Sequence, residues 1–179
     1  MSDIYFTSDT HFGHRNICRG ESQWNDKTRC RDFDTVHEMN KYMTEQFNKR
    51  VKPEDTVYHL GDFAFGGSKQ VHEYINHLNC KNIILILGNH DMRFKKLYKE
   101  RFKEIHKGPL TWFTELYGAF QMTHYPYDGM KFASTNYLHG HTHAYNGVLH
   151  DGQMDVSVEG NDYKPYHIDD ILKLFGVNV

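Results

Sequence analysis

The order of strand-like and helix-like segments constrains the fold of this chain more than any other feature. In the first half, β-prone runs alternate with helical patterns, at 3–8, 34–50, 56–60, 68–78, 82–87 and 92–102. After Gly108 the pattern changes to short strands and one closing helix, at 110–116, 119–124, 134–139, 145–149, 153–158 and 168–175. Sheets bury apolar faces against other layers, so this order predicts an α/β fold of two packed, mixed sheets flanked by helices. Residues 1–179 contain neither linker nor repeat and are predicted to form a single domain.

Two of these segments carry clear local signals. The run "NIILIL" at 82–87 is continuously apolar, which is typical of a strand that is buried on both faces. In the helix at 34–50, Met39 and Phe47 recur at helical spacing, and Asp34 is predicted to be the N-cap.

Composition narrows the class of protein. The net charge is −2, so we expect no extended nucleic-acid binding. The N-terminus does not resemble a signal peptide, and the longest apolar stretch, at 83–87, is too short to span a bilayer. Three isolated cysteines argue against a disulfide framework and against a thiolate zinc site. We therefore predict a cytoplasmic protein without membrane attachment.

Polar side chains follow several of the predicted strands. They occur in Asp9-Thr10-His11, Gly61-Asp62, Gly88-Asn89-His90-Asp91, His124 and the pair His141 and His143. Ligands gather beyond the carboxyl ends of strands in open α/β sheets, so we expect these groups to converge. Oxygen and imidazole donors without thiolates suit Mn, Fe, Zn and similar ions. Two carboxylates, four imidazoles and one amide exceed what one four-coordinate ion requires, which indicates two metals sharing a ligand.

Glycines precede three of these groups, and histidines are crowded in the last. At Gly88 and Gly140 the missing Cβ lets the backbone approach an ion or a phosphate closely. The stretch "LHGHTH" at 138–143 places three imidazoles at alternate positions, which a strand would point to one face.

The ordered series "DTH", "GDF", "GNHD", "H" and "GHTH" resembles the calcineurin-like metallophosphoesterase superfamily. The opening "SDTHFGHRN" is similar to that of its small, capless bacterial and phage members. The motifs extend from residue 9 to residue 143, and so cover most of the chain. The resemblance implies a four-layer αββα sandwich with a centre of two divalent metal ions, Mn²⁺ first, with Fe, Zn, Ni or Co as alternatives.

The resemblance also implies a role for each matching residue. One metal would be held by Asp9, His11 and His143, and the other by Asn89, His124 and His141, with Asp62 bridging. Asp62 and His90 would be catalytic, and His90 would not be a metal ligand. His139 would lie behind the site. Substrate contacts are predicted for Asn89, His90, His14 and Arg15, although a packing role for His14 is equally compatible with the sequence.

Other residues beside the motifs have less specific predictions. Asp91 is expected either to orient His90 or to cap the helix that follows. Tyr125 and Tyr127, beside His124, are expected to line the pocket or to pack. The aromatic side chains near the motifs are expected to be able to stack on a nucleobase, namely Phe12, Phe63, Phe65, Tyr125 and Tyr127.

The implied reaction is metal-assisted hydrolysis of a phosphoester, with His90 protonating the leaving oxygen. The chain reads "GDFAFGG" where the protein phosphatases of the superfamily have Asp-Arg-Gly, so a phosphoprotein substrate is not expected. A small open site favours a phosphodiesterase acting on nucleotides or other small diesters. The alternatives are a broad-specificity phosphomonoesterase and a non-catalytic protein-binding scaffold of the same fold. The sequence leaves the oligomeric state open.

Overall fold

A computed structural model describes residues 2–130, 135–144, 149–150 and 152–176. The first sheet contains β1 (Ile4–Thr7), β2 (Thr56–His59), β3 (Ile83–Ile86), β4 (Glu104–His106) and β10 (Tyr166–His167). Its order is β10-β1-β2-β3-β4; β1 to β4 pair in parallel, and β10 pairs antiparallel with β1. The carboxyl ends of β1, β2 and β3 therefore meet at one edge of this sheet.

The second sheet contains β5 (Leu110–Thr114), β6 (Gly118–Met122), β7 (Thr135–His139), β8 (Leu149–His150) and β9 (Gln153–Asp155). Its order is β5-β6-β7-β9-β8. The central strands β6, β7 and β9 are parallel, whereas β5 and β8 pair antiparallel at the edges. The predicted architecture of two mixed sheets with flanking helices is confirmed.

The helices are α1 (Val36–Arg50), α2 (Ser68–His77), α3 (Lys95–Arg101) and α4 (Ile168–Leu174). The prediction that Asp34 caps α1 is wrong by one residue. Thr35 is the N-cap, and its side-chain oxygen accepts a hydrogen bond of 3.1 Å from the Glu38 amide. This bond satisfies one of the amides that the first turn of a helix leaves unpaired.

Side-chain alternation in the first sheet supplies both cores. Val57, Ile83 and Leu85 face a core that contains Met39, Phe47, Ile75 and Tyr98 from α1 to α3. Tyr58, Ile84 and Ile86 face the opposite way, into the core between the two sheets, where α4 also packs. Burial on both faces explains why β3 is apolar at every position.

Three segments differ from the sequence predictions. The helix predicted at 92–102 begins as a 3-10 turn, Met92–Phe94, and continues as α3. The short edge strands β4 and β10 were not predicted. The strand predicted at 145–149 falls mostly on residues 145–148, which lie outside the described residues.

Two further findings concern the predicted class of protein. Within the described ranges, no helix combines the length and the apolar character that a membrane crossing requires. Cys18, Cys30 and Cys80 are buried free thiols.

Candidate metal centre

The predicted ligands follow strands from both sheets. Asp9 and His11 follow β1, and Asp62 follows β2; His124 follows β6, and His143 follows β7. A short parallel bridge joins the two sheets beside these loops: the Ser8 amide donates to the Val156 carbonyl at 3.0 Å, and the Val158 amide donates to the Ser8 carbonyl at 3.2 Å. The loops after the parallel strands consequently open into one site.

The backbone at the site is unusual. Positive φ angles of 49° to 70° occur at five non-glycine residues of the motifs, Asp9, His11, Asp62, His141 and His143. Each such conformation costs an L-residue roughly 1–3 kcal/mol, and such residues cluster where function requires them. A Cβ at Gly88 would overlap the Asp62 carboxylate, and one at Gly140 would overlap the Asp9 carboxylate. These two glycines therefore permit a close approach of the backbone to two carboxylates of the site, whereas the sequence prediction was an approach to an ion or a phosphate.

Two groups of side chains are arranged to hold ions. Asp9, His11 and His143 form one group, and Asp9, Asp62 and His124 form the other. Within each group the potential ligand atoms lie within 4.8 Å of one another. Asp62 Oδ2 lies 3.6 Å from His11 Nε2, in the first group, and 3.6 Å from His124 Nε2, in the second, while Asp9 belongs to both groups.

Three buried polar atoms at the centre have no hydrogen-bond partner among the described residues, although ionisable groups lie 3.5–3.6 Å from two of them. They are Asp9 Oδ1 and both ring nitrogens of His11. A buried polar atom without a hydrogen bond is costly, since it has lost its water. Burial lowers the pKa of His11, which favours the neutral imidazole that a metal requires. The residues present therefore fit a bound cation.

A hydrogen bond defines the tautomer of the His124 imidazole. His124 Nδ1 donates to the Leu60 carbonyl at 2.8 Å, so neutral His124 carries its lone pair on Nε2. This Nε2 lies 3.0 Å from Asn89 Oδ1 and 3.6 Å from Asp62 Oδ2, which are both lone-pair atoms. Lone pairs that converge in this way suit a cation between them.

His143 is oriented by a carboxylate that the sequence analysis missed. Its Nδ1 donates to Glu159 Oε1 at 2.7 Å, which leaves Nε2 directed to Asp9 Oδ1 at 3.6 Å. The same Glu159 oxygen accepts from Arg31 Nε at 2.9 Å and from Arg31 Nη2 at 2.7 Å. Arg31 also donates to the carbonyls of Asp9 and Thr10. A buried chain Arg31–Glu159–His143 therefore supports the centre from behind, as outer partners of metal ligands commonly do.

Neighbouring charges shift the pKa values of Glu159, His143 and Asp9. Burial would raise the pKa of Glu159, but Arg31 and His143 outweigh it and lower the pKa to about 2. Burial would lower the pKa of His143, yet the Glu159 carboxylate raises it above its ordinary value. The pKa of Asp9 lies below its ordinary range, because nearby His11 and His143 outweigh the effect of burial. Both carboxylates are therefore ionised near neutral pH.

Asp91 has a different function from the two that were expected. It makes no side-chain bond that caps a helix. Its carboxylate accepts the amides of Asp62 at 2.7 Å, Gly88 at 2.8 Å and Phe63 at 3.0 Å. Asp91 thus ties the loop after β3 to the loop after β2, and it fixes the strained Asp62 backbone.

The remaining predicted site residues lie around the centre. His90 is half-exposed, with Nε2 at 3.8 Å from Asp62 Oδ2. His141 belongs to neither group of ligand atoms, and its ring lies 5.1 Å from that of His124. His139 is buried, with Nδ1 at 2.8 Å from the Gly140 carbonyl.

His14 and Arg15, which were predicted to contact substrate, lie in different surroundings. His14 stacks on Phe65 with ring centroids 4.1 Å apart, and burial lowers its pKa to about 3. Arg15 is exposed and pairs with Glu21 at 2.9 Å.

The expectation that the nearby aromatic side chains can stack on a nucleobase is wrong for two of them. Phe12 and Phe63 are both 1% exposed and pack in the core beneath α1 to α3. Phe65 lies against the rings of His11 and His90. Tyr125 is half-exposed, and its hydroxyl donates to Asn89 Oδ1 at 3.3 Å. Tyr127 stacks on Tyr137.

This chain is similar to several known proteins. A family profile described as "calcineurin-like phosphoesterase" matches residues 2–177. An uncharacterized protein of Methanocaldococcus jannaschii is 32% identical, covering 97% of this chain and 92% of its own length. The Gene 66 protein of Mycobacterium phage D29 is 26% identical, covering 80% of each chain. A crystal structure of a protein of unknown function from Aquifex aeolicus has a TM-score of 0.72 and 27% identity, covering 97% of this chain and 100% of that one.

Proposed function

Because this chain belongs to the calcineurin-like phosphoesterase family, whose members hydrolyse phosphoesters with divalent metals, we propose that it is a phosphodiesterase acting on nucleotides or other small diesters. The observation that carries the proposal is the position of Asp62. Its Oδ2 lies 3.6 Å from His11 Nε2, in the first group of ligand atoms, and 3.6 Å from His124 Nε2, in the second.

In this proposal the centre holds two ions, and Mn²⁺ is the first candidate. Asp9, His11 and His143 would hold one, Asn89, His124 and His141 the other, with Asp62 shared. When bound, the ions would neutralise charge on the phosphoryl oxygens and lower the pKa of the attacking water. Asn89 contributes a neutral carbonyl oxygen, which limits the negative charge facing the substrate phosphate.

His90 is the proposed proton donor. Its backbone amide donates to Asp62 Oδ1 at 2.9 Å, which fixes the residue at the rim of the site. Its ring is half-exposed and packs against Phe65, so one nitrogen can reach a leaving oxygen. A positioned general acid typically contributes about 10²–10⁴-fold to the rate.

A diester substrate is favoured by the cations near the motifs. A monoester phosphate carries two negative charges near neutral pH and needs positive side chains in addition to the metals. Arg15 pairs with Glu21, and Arg93 donates to the Gly66 carbonyl at 2.9 Å. Both guanidinium groups are already engaged by partners of this chain, so the site is better matched to a singly charged diester.

The test compares bis-p-nitrophenyl phosphate with p-nitrophenyl phosphate, using metal-free protein to which Mn²⁺ is returned. We expect chelation to abolish turnover, Mn²⁺ to restore it, and kcat/KM to be higher for the diester. Asp62→Asn should lose both metal and activity, whereas Asp32→Asn, at an exposed surface carboxylate, should retain them.

Other outcomes would replace the proposal. Preference for the monoester would establish the phosphomonoesterase instead. Two bound ions without turnover of either ester would favour the protein-binding scaffold.

A further inference from the structure

A cleft of about 670 Å³ opens beside the proposed centre. It is lined on the side of the centre by His141 and His143, which are proposed ligands of the two different ions. Its other lining residues include Ile17, Trp24 and Arg29. The volume lies within the range of about 300–1,000 Å³ that is usual for small-molecule sites. A phosphoester held at the centre would therefore extend one of its two substituents into this cleft.

Trp24 gives the cleft a large aromatic surface. Trp24 is 42% exposed, whereas the large apolar surface of an indole is ordinarily buried in a core. The neighbouring backbone is fixed: the Gln23 amide donates to Asn16 Oδ1 at 3.1 Å, and the Trp24 amide donates to Ser22 Oγ at 3.2 Å. The indole meets His14 in a T-shaped arrangement at 6.0 Å. Trp24 therefore projects from a hydrogen-bonded loop, with its indole beside the His14 ring.

The charge of the cleft restricts its occupant. Of the described side chains that line it, Arg29 carries a positive charge and none is a carboxylate. An aromatic surface beside a phosphoester centre matches a nucleotide, which combines a planar base with phosphate. Bases stack on aromatic side chains whatever their hydrogen-bonding edges, so such a site accepts several bases.

We propose that this cleft binds the nucleoside group of a nucleotidyl phosphodiester, with the base stacked on Trp24. The inference names the substrate class of the proposed phosphodiesterase and therefore rests on that function. Trp24 is a specificity-determining residue in this view, because it contacts the substrate at a distance from the reacting phosphorus.

The kinetic test uses two substrates with the same leaving group, thymidine 5′-p-nitrophenyl phosphate and methyl p-nitrophenyl phosphate. Only the retained group differs, so the chemical step is matched. Stacking on one side chain is commonly worth about 5- to 150-fold in affinity. We expect Trp24→Ala to raise KM for the thymidine ester within that range at unchanged kcat, and to leave the methyl ester unaffected. That pattern indicates lost binding, equal in ground and transition states.

Two variants sharpen the result. Trp24→Phe keeps an aromatic ring and should recover most of the affinity. Phe113→Ala removes a ring that is 71% exposed on β5, outside the cleft, and should change neither substrate. Equal KM changes for both substrates, or none, would overturn the proposal, while turnover of the methyl ester would leave the phosphodiesterase itself standing.

A binding experiment makes the two proposals separable. The chain has two tryptophans, so Trp112→Phe leaves Trp24 as the only indole fluorophore. Thymidine monophosphate should quench this fluorescence with saturation, and ribose 5-phosphate should not. Saturable quenching without turnover would keep the nucleoside site and contradict the phosphodiesterase, and no quenching would contradict the site.

Discussion

Glu159→Gln is the most informative substitution behind the centre. The side chains of Arg31 and Glu159 are 0% and 1% exposed, and the Glu159 oxygen also accepts from His143. Glutamine retains one carbonyl acceptor but removes the charge, so the Arg31 guanidinium loses its ionic partner and keeps only neutral ones, among them the carbonyls of Asp9 and Thr10. Removing one partner of a buried ion pair costs about 3–5 kcal/mol.

The pKa of Glu159 gives a second value for the free energy of unfolding that the substitution would remove. It is lowered from 4.5 to about 2, and each pH unit corresponds to about 1.36 kcal/mol, which gives about 3 kcal/mol. The two values agree at the lower end of the range. We expect the metal-free variant to lose about 3 kcal/mol in urea unfolding, or about 6–12 °C in Tm for a chain of this size.

The affinity of the site for metal should also fall. His143 would lose the carboxylate that orients its ring, and such outer partners are worth about 10–100-fold in metal affinity. Titration calorimetry with Mn²⁺ measures this effect independently of turnover. A matched second variant, Arg31→Met together with Glu159→Gln, removes the unpaired charge and places a methionine beside Met39 and Met43. We expect it to recover stability without recovering metal affinity.

A loss of less than about 1 kcal/mol in Glu159→Gln, with unchanged Mn²⁺ affinity, would refute this reasoning. It would mean that the chain Arg31–Glu159–His143 is neither a source of stability nor an orienting device.

The remaining predictions concern single residues and pH. His143→Ala should lose one ion in elemental analysis, whereas His139→Ala should keep both; loss of an ion in both would show that His139 is itself a ligand. His90→Asn should keep both ions and lower kcat most for esters with poor leaving groups; equal losses on good and poor leaving groups would argue against a general acid. Because the folded pKa of Glu159 is below the unfolded one, its stabilisation is complete above about pH 4.5 and is lost as pH falls towards about 2; acid unfolding of Glu159→Gln should lack this component.

Much of the fold was predictable, because its strands carry their own signal. β3 is apolar at every position, and the site residues stand directly after strands whose ends parallel pairing brings together. The edge strands β4 and β10 have three and two residues, too few for any pattern, and they exist because a neighbouring strand offers hydrogen bonds.

The parts of the site that were missed depend on distant contacts. Arg31 and Glu159 are 128 residues apart and look like ordinary surface charges in the sequence. Phe12 and Phe63 stand next to motif residues, but strand-like alternation turns their rings into the core. Asp91 could be expected to cap a helix from its position alone, and only the fold shows that its carboxylate accepts two amides of the loop after β2 and one of its own loop.

The bridge between Ser8 and Ser157 has a consequence for how the chain opens. Each group of ligand atoms takes residues from both sheets: Asp9 with His143, and Asp62 with His124. Removing the ions would leave the seam between the sheets held at this end by that bridge and the hydrogen bonds around it. Amide hydrogen exchange should therefore quicken on both sides of the seam in metal-free protein, at Ser8 and Val158, while the interior of β3 stays protected.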